Sequence, residues 1–184
     1  MSAARPLAHR AARRELPETL AVTIRLCAES DLRALEWDGM FTDHREIITD
    51  AFNRQQQRSV VMLVAETDSR VVGQVWVDLT KFASRGAGFL WALRVHPSAR
   101  SRGIGTELIG AAESWLAAHA FQSGTLGVEK ENARGMQFCR RLGYDVAGEL
   151  LERYLYTTPA GEQQEVSVDQ WLLEKRLLTT GVRQ

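Results

Sequence analysis

The sequence predicts a mixed α/β fold, and three observations carry that reading. Apolar or alternating runs of strand length recur along the chain. Longer segments between them place apolar residues at helical spacing. Turn residues join neighbouring strand patterns into hairpins, so strands and helices alternate within one sheet. At 184 residues, 45% apolar and 25% charged, the chain has the size and composition of a single globular domain with a full core.

In order, Ala21–Leu26 alternates and reads as the first strand. Ser30-Asp31 predicts a helix start, with Leu32, Leu35 and Trp37 as apolar contacts. Thr42 is an N-cap candidate for a second helix over 43–57, whose inner face is Ile47, Ile48, Ala51 and Phe52. Val60–Ala65 is a continuous apolar strand, turned at Asp68-Ser-Arg70 into its hairpin partner Val71–Val77. A polar, Gly-containing loop is expected over 80–88, then a strand over 89–96. A long helix follows to His119, with Ile104, Leu108, Ile109, Ala112, Trp115 and Leu116 on one face. Gly124–Glu129 reads as a short strand. Asn132 opens a further helix carrying two stripes, Gly135, Phe138, Leu142 and Asn132, Met136, Cys139. Two long strand patterns, Glu149–Thr157 and Glu165–Leu173, close the chain around a turn at Pro159-Ala-Gly161.

The stretch Arg100-Ser-Arg-Gly-Ile-Gly105 is the most informative. It follows a strand and the breaker Pro97 and opens a helix, so unpaired N–H groups and the positive end of the helix dipole meet there. Gly103 and Gly105 let backbone approach an anion closely, and Arg100 and Arg102 add charge, which together read as a pyrophosphate cradle. A dinucleotide fingerprint would require a third Gly where Leu108 stands. A Walker-type loop would require Gly-Lys-Ser/Thr, which the chain lacks.

The Arg-x-x-Gly-x-Gly spacing resembles the acetyl-coenzyme A signature of the GCN5-related N-acetyltransferases. The segment Asn132–Tyr144 resembles the second signature of that family, an Asn-opened helix ending in Gly-aromatic. The resemblance covers about residues 22–178. It implies a mostly antiparallel central sheet of about seven strands flanked by helices and splayed open between the strands at 89–96 and 124–129, with acetyl-coenzyme A as co-substrate in the gap. It implies that the edge Leu93-Arg94-Val95 pairs with the pantetheine arm and that the Leu93 N–H polarises the thioester carbonyl. It implies that Ser101, Arg102, Gly103, Ile104, Gly105 and Thr106 hold the pyrophosphate, and that Asn132 bonds the arm while also serving as an N-cap. The implied activity is acetyl transfer to a primary amine of an unnamed acceptor, small molecule or protein; a non-catalytic acyl-coenzyme A sensor and a different acyl donor such as succinyl-coenzyme A are the alternatives.

The proton-moving residues depart from the family pattern. Cys139 stands where many relatives carry the tyrosine that protonates the leaving thiolate, and a buried structural cysteine is its other reading. Tyr144 is a substitute acid whose family role is usually packing. Phe89 and Gly127 stand where relatives place a glutamate base. Asp78, Glu129, Glu36 and His96 are the remaining base candidates, acting through water, and an amine that arrives deprotonated needs none. Acceptor selection falls to the early helices and final hairpin, where Glu36, Trp37, Asp38, Phe41, Asp43, His44, Glu152, Arg153, Tyr154 and Tyr156 form an acidic-aromatic mixture that would suit a cationic amine.

Lys+Arg and Asp+Glu are both 23, so no global field attracts nucleic acid. Cys27 and Cys139 fit no metal spacing, and no metal is expected. No apolar run reaches the roughly twenty residues of a bilayer span. These features predict a cytoplasmic protein without membrane partners; a homodimer stays open. Residues 1–20, with Arg5, Arg10, Arg13 and Arg14, read as a basic extension ahead of the domain at 21–184, solvated rather than a nucleic-acid arm or transit peptide.

Overall fold

The computed structural model describes residues 21–157 and 161–178. The basic extension therefore lies outside the described residues, as do Pro159 and Ala160 of the expected turn. Among the described residues the strands are β1 (Thr23–Leu26), β2 (Val60–Thr67), β3 (Arg70–Phe82), β4 (Ala87–Val95), β5 (Ser123–Glu129), β6 (Asp145–Thr157) and β7 (Gln163–Arg176). They form one sheet in the order β1-β2-β3-β4-β5-β7-β6, antiparallel throughout except for β4 beside β5. The helices are α1 (Arg45–Gln56), α2 (Ile104–Ala118) and α3 (Ala133–Arg141).

Alternation along the central strands sends side chains to two cores on opposite faces. Met62, Val64 and Trp76 meet Ile48, Ala51 and Phe52 of α1 on one face. Val61, Leu63, Val75, Val77 and Leu90 meet Leu108, Ile109, Ala112 and Leu116 of α2 on the other. Both helices thus use the apolar faces their sequences display.

The parallel pair decides the site. β4 and β5 are in register only from Ala87↔Ser123 to Leu90↔Leu126. Beyond that β5 continues against β7, from Gly127↔Leu172 to Glu129↔Gln170, while β4 continues against β3 alone. The divergence starts after Leu90↔Leu126, and the paired stretch behind it holds the glycine pair Gly88↔Gly124. A Cβ on Gly88 would lie 2.4 Å from Leu116 Cδ2, so α2 can seat its leucine there only because the strand carries no side chain. β4 also bulges. Trp91 pairs with Trp76 and Arg94 with Gln74, leaving Ala92 and Leu93 opposite Val75, with Ala92 at φ 50°. The buried Gln74 side chain donates to the Ala92 carbonyl at 3.3 Å and props the bulge.

Three regions differ from the sequence reading. After Ser30 there are only 3₁₀ turns, Glu29–Asp31 and Ala34–Glu36, rather than a helix. The Asp31 carboxylate is bound to Arg25 and accepts from the Ala28 N–H at 2.8 Å, and Trp37 and Asp38 take φ 45° and 54°, which ends any helical run. The same turns bury Leu35 and Trp37, as their apolar character predicts. Thr42 does not cap α1; its hydroxyl donates to the Gly39 carbonyl and His44 holds the cap position. Residues 80–88 are mostly strand, because Asp78 Oδ1 accepts from the Thr80 and Lys81 N–H groups and carries β3 through a register slip to Phe82.

Candidate functional site

Where β4 and β5 part, the β4 edge from Trp91 to Val95 has no strand partner, although backbone N–H and C=O groups need one. This edge borders two cavities that share Leu93, Asn132 and Phe138. The smaller, about 330 Å³, is walled by Trp91, Leu126, Gly127, Val128, Cys139 and Gln170. The larger, about 650 Å³, runs from Trp37 and Phe41 across Leu93, Arg94 and Val95 to Arg100, Ser101, Gly103, Ile104, Gly105 and Thr106.

The loop leaves the start of α2 uncapped. Gly103 is the residue before α2, at φ 85°, and it offers no side chain to the first helical N–H groups. Thr106 and Glu107 donate back to the Gly103 carbonyl, whereas the N–H groups of Ile104 and Gly105 precede the first helical bond. A Cβ on Gly103 would meet nothing within 4 Å, so this side of the backbone is open; Gly105 instead faces Phe138 of α3. Ser101, at φ 62°, makes the reversal before it. Arg100 Nε donates to the Val95 carbonyl at 3.0 Å, fixing the loop to the end of β4.

Asn132 caps α3, its Oδ1 accepting from the Gly135 N–H at 2.8 Å. The cap uses one side of the amide, and the residue borders both cavities with its Nδ2 as the remaining donor. Arg134 and Arg141 of the same helix also border the larger cavity. The reading from sequence missed both, though their two-turn spacing puts them on one helix face. The Arg102 side chain points elsewhere. It borders a separate cavity of about 160 Å³ at the β2–β3 hairpin, with Thr67, Arg70 and His96, so the cationic lining belongs to Arg94, Arg100, Arg134 and Arg141.

The proposed proton carriers fare differently. Cys139 sits in the cavity wall at 5% exposure, and burial pushes its thiol up to about 11. Tyr144 is fully buried and borders neither cavity. Its hydroxyl lies 3.1 Å from where a Gly124 Cβ would be, beneath α2, and burial followed by the nearby Glu113 raises its pKa far above an ordinary phenol. The structure thus removes Tyr144 from the gap.

Among the base candidates, burial would raise the Asp78 carboxyl. Hydrogen bonds from Arg54, Thr80 and Lys81 outweigh that and hold it below its ordinary value, so it is a structural anchor. Glu36 is held low by its bidentate pair with Arg45. His96 is bonded to Ser98 and packs edge-on to Trp37. Glu129 alone borders the gap. The anticipated acidic acceptor surface is also corrected: Glu36 is tied to Arg45 and Glu152 to Lys81, and no acidic residue borders the larger cavity.

A sheet of this order, a parted parallel pair and an uncapped Gly-turn helix at its mouth coincide with a family match. The acetyltransferase (GNAT) family model matches residues 28–144. The chain belongs to this family. Mycothiol acetyltransferase of Acidimicrobium ferrooxidans is 32% identical over 99 residues, which are 53% of this chain and 32% of that protein. The chain spans about a third of that relative's length.

Solved structures share the GNAT fold. The paia N-acetyltransferase of Thermoplasma acidophilum in complex with coenzyme A has a TM-score of 0.64 at 18% identity, over 85% of this chain and 99% of that one. The ribosomal-protein-alanine N-acetyltransferase of Brucella melitensis has 0.66 at 22%, over 84% and 99%. Among the described residues no group of side chains is placed to hold a metal, and no helix is long and apolar enough to cross a membrane.

Proposed function

We propose that this GNAT protein transfers an acetyl group from acetyl-coenzyme A to a primary amine. The observation that carries the reading is the unpaired β4 edge leading directly to the uncapped N-terminus of α2. An extended amide arm completes the sheet along Leu93–Val95, and the N–H groups of residues 101–106, with the Thr106 hydroxyl and Arg100, hold a pyrophosphate. Asn132 bonds the arm through its Nδ2. This arrangement fixes the thioester beside the bulge, so the reacting atoms meet without a large entropic cost. The Leu93 N–H then stabilises the oxyanion that forms when the amine attacks the carbonyl carbon.

The tetrahedral intermediate collapses by expelling coenzyme A thiolate, which needs a proton. Cys139, held well above an ordinary thiol, is a poor donor to another sulfur, and we assign it to the wall. The amine arrives neutral, becomes N-protonated on attacking the carbonyl carbon, and gives up that proton through water to the departing thiolate. Cys139→Ala should therefore change turnover less than about threefold at saturating acetyl-coenzyme A, far below the hundredfold typical of a lost general acid. A larger fall at unchanged coenzyme A affinity would return the proton to Cys139.

The decisive experiment pairs calorimetry with turnover. Coenzyme A should bind, and a primary-amine library with acetyl-coenzyme A should release free thiol. Binding without thiol release from any amine would make the protein an acyl-coenzyme A sensor. Absence of binding would overturn the cavity assignment itself.

A further inference from the structure

The larger cavity has a second end, away from the cradle. The β4 bulge sets its chemistry. Leu93 and Val95 pack on the α2 side of the sheet, while Trp91 and Ala92 belong to the α1 side. Arg94 lies between Leu93 and Val95 along the strand and takes the α1 side, with its guanidinium 4.1 Å from the centre of the Phe41 ring. It is half-buried. Among the described residues no carboxylate forms an ion pair with it, and burial lowers its pKa below that of an ordinary guanidinium.

This contrasts with cations elsewhere in the fold. Arg25, Arg45, Arg54, Lys81, Arg85, Lys130 and Lys175 each carry a carboxylate partner. A half-buried guanidinium presents five N–H donors, and an aromatic face offsets only part of their desolvation. Its surroundings hold buried polar atoms without partners. Trp37 meets Phe41 edge-on at 5.3 Å, and its buried Nε1 has no partner. His44 meets the other side of Phe41 at 5.4 Å, and its buried Nδ1 has no partner either. Burial and then the Arg94 charge keep this imidazole toward its neutral form, so no second cation competes for an anion here.

We infer that Arg94, beside Trp37, reads a carboxylate on the acceptor, so the substrate class is an amine that also carries a carboxylate, such as an amino acid or short peptide. The inference rests on the acetyl-transfer reading and names the substrate of that same site. A guanidinium matches a carboxylate in bidentate geometry, whereas a polyamine would meet only cations along this cavity. The alternative anion, a phosphate of coenzyme A, is served by the Gly103 turn at the other end of the same cavity.

The test uses the full chain and paired probes of one skeleton. Phenylalanine is set against phenethylamine, ω-amino acids against alkylamines of equal length, and glycyl-phenylalanine against its C-terminal amide. At saturating acetyl-coenzyme A, at least one carboxylate member should exceed its partner tenfold or more in kcat/KM. Arg94→Gln should reduce that ratio to within twofold, and Arg94→Lys should restore part of it. The same probes titrated into the coenzyme A complex should bind the parent and not Arg94→Gln.

Equal turnover of the paired members, or a ratio that survives Arg94→Gln, overturns the carboxylate assignment while acetyl transfer stands. A tenfold loss of coenzyme A affinity in Arg94→Gln overturns it by moving Arg94 to the cofactor. If no amine yields thiol, acetyl transfer fails, and the titrations decide the carboxylate site alone: no Arg94-dependent binding overturns it.

Discussion

Gly103→Glu should weaken coenzyme A binding at least tenfold, about 1.4 kcal/mol, when followed by calorimetry. Gly103 stands at φ 85° with nothing within 4 Å of an added Cβ, so the new side chain meets no steric wall. Its carboxylate instead sits at the positive end of α2, where it accepts from the N–H groups that the pyrophosphate needs and repels the incoming anion. The left-handed backbone adds strain of roughly 1–2 kcal/mol for any residue with a Cβ. Gly103→Ala isolates that strain and should lower the melting temperature while keeping affinity within about threefold of the parent, the charge effect being absent. Parent-like affinity in a folded Glu variant would show that the cradle is not the anion site.

The second large effect belongs to stability. Gly88→Val places branched carbon where Leu116 Cδ2 would be 2.4 Å and Cδ1 2.9 Å from the new Cβ. Leu116 is fully buried against the sheet. Overpacking of this kind costs about 1–3 kcal/mol, which should lower the melting midpoint of a chain this size by about 2–12 °C. Adding Leu116→Ala removes the collision, so the double variant should be more stable than the sum of the two single losses. A single variant with an unchanged midpoint would refute the close packing of α2 on Gly88.

The parts of this molecule that were legible in the sequence are those whose residues act locally. Gly103 and the Arg100–Thr106 spacing mark a strand-to-helix turn, and the structure places that turn at the cavity mouth. Asn132 both caps α3 and faces the gap, the two roles its type and position allow.

What was illegible depends on distant partners. Asp31 reads as a helix starter until Arg25 claims its carboxylate. Residues 80–82 read as loop until Asp78 gathers their N–H groups. The bulge hides Arg94: Ala92 at positive φ shifts the alternation of β4, so no count of every second residue assigns the side chains beyond it to a face. Tyr144 sits in a family-like motif, yet the backbone turn at Gly143, φ 89°, precedes a ring that goes under α2 rather than into the gap.

The indole rings give this architecture an optical consequence. The chain has five tryptophans. Trp91 borders the smaller cavity and meets Trp76 edge-on at 4.8 Å, and Trp37 borders the larger. Trp115 stacks on His119 at 3.7 Å, and Trp171 lies beneath Lys130, both outside the larger cavity. Intrinsic emission is therefore a label-free reporter with its own internal reference. Occupancy of the gap perturbs Trp91, and through it Trp76. Occupancy of the far end perturbs Trp37, while Trp115 supplies a constant background. Replacing Trp91 or Trp37 by Phe, one at a time, resolves which end of the gap a given ligand has entered.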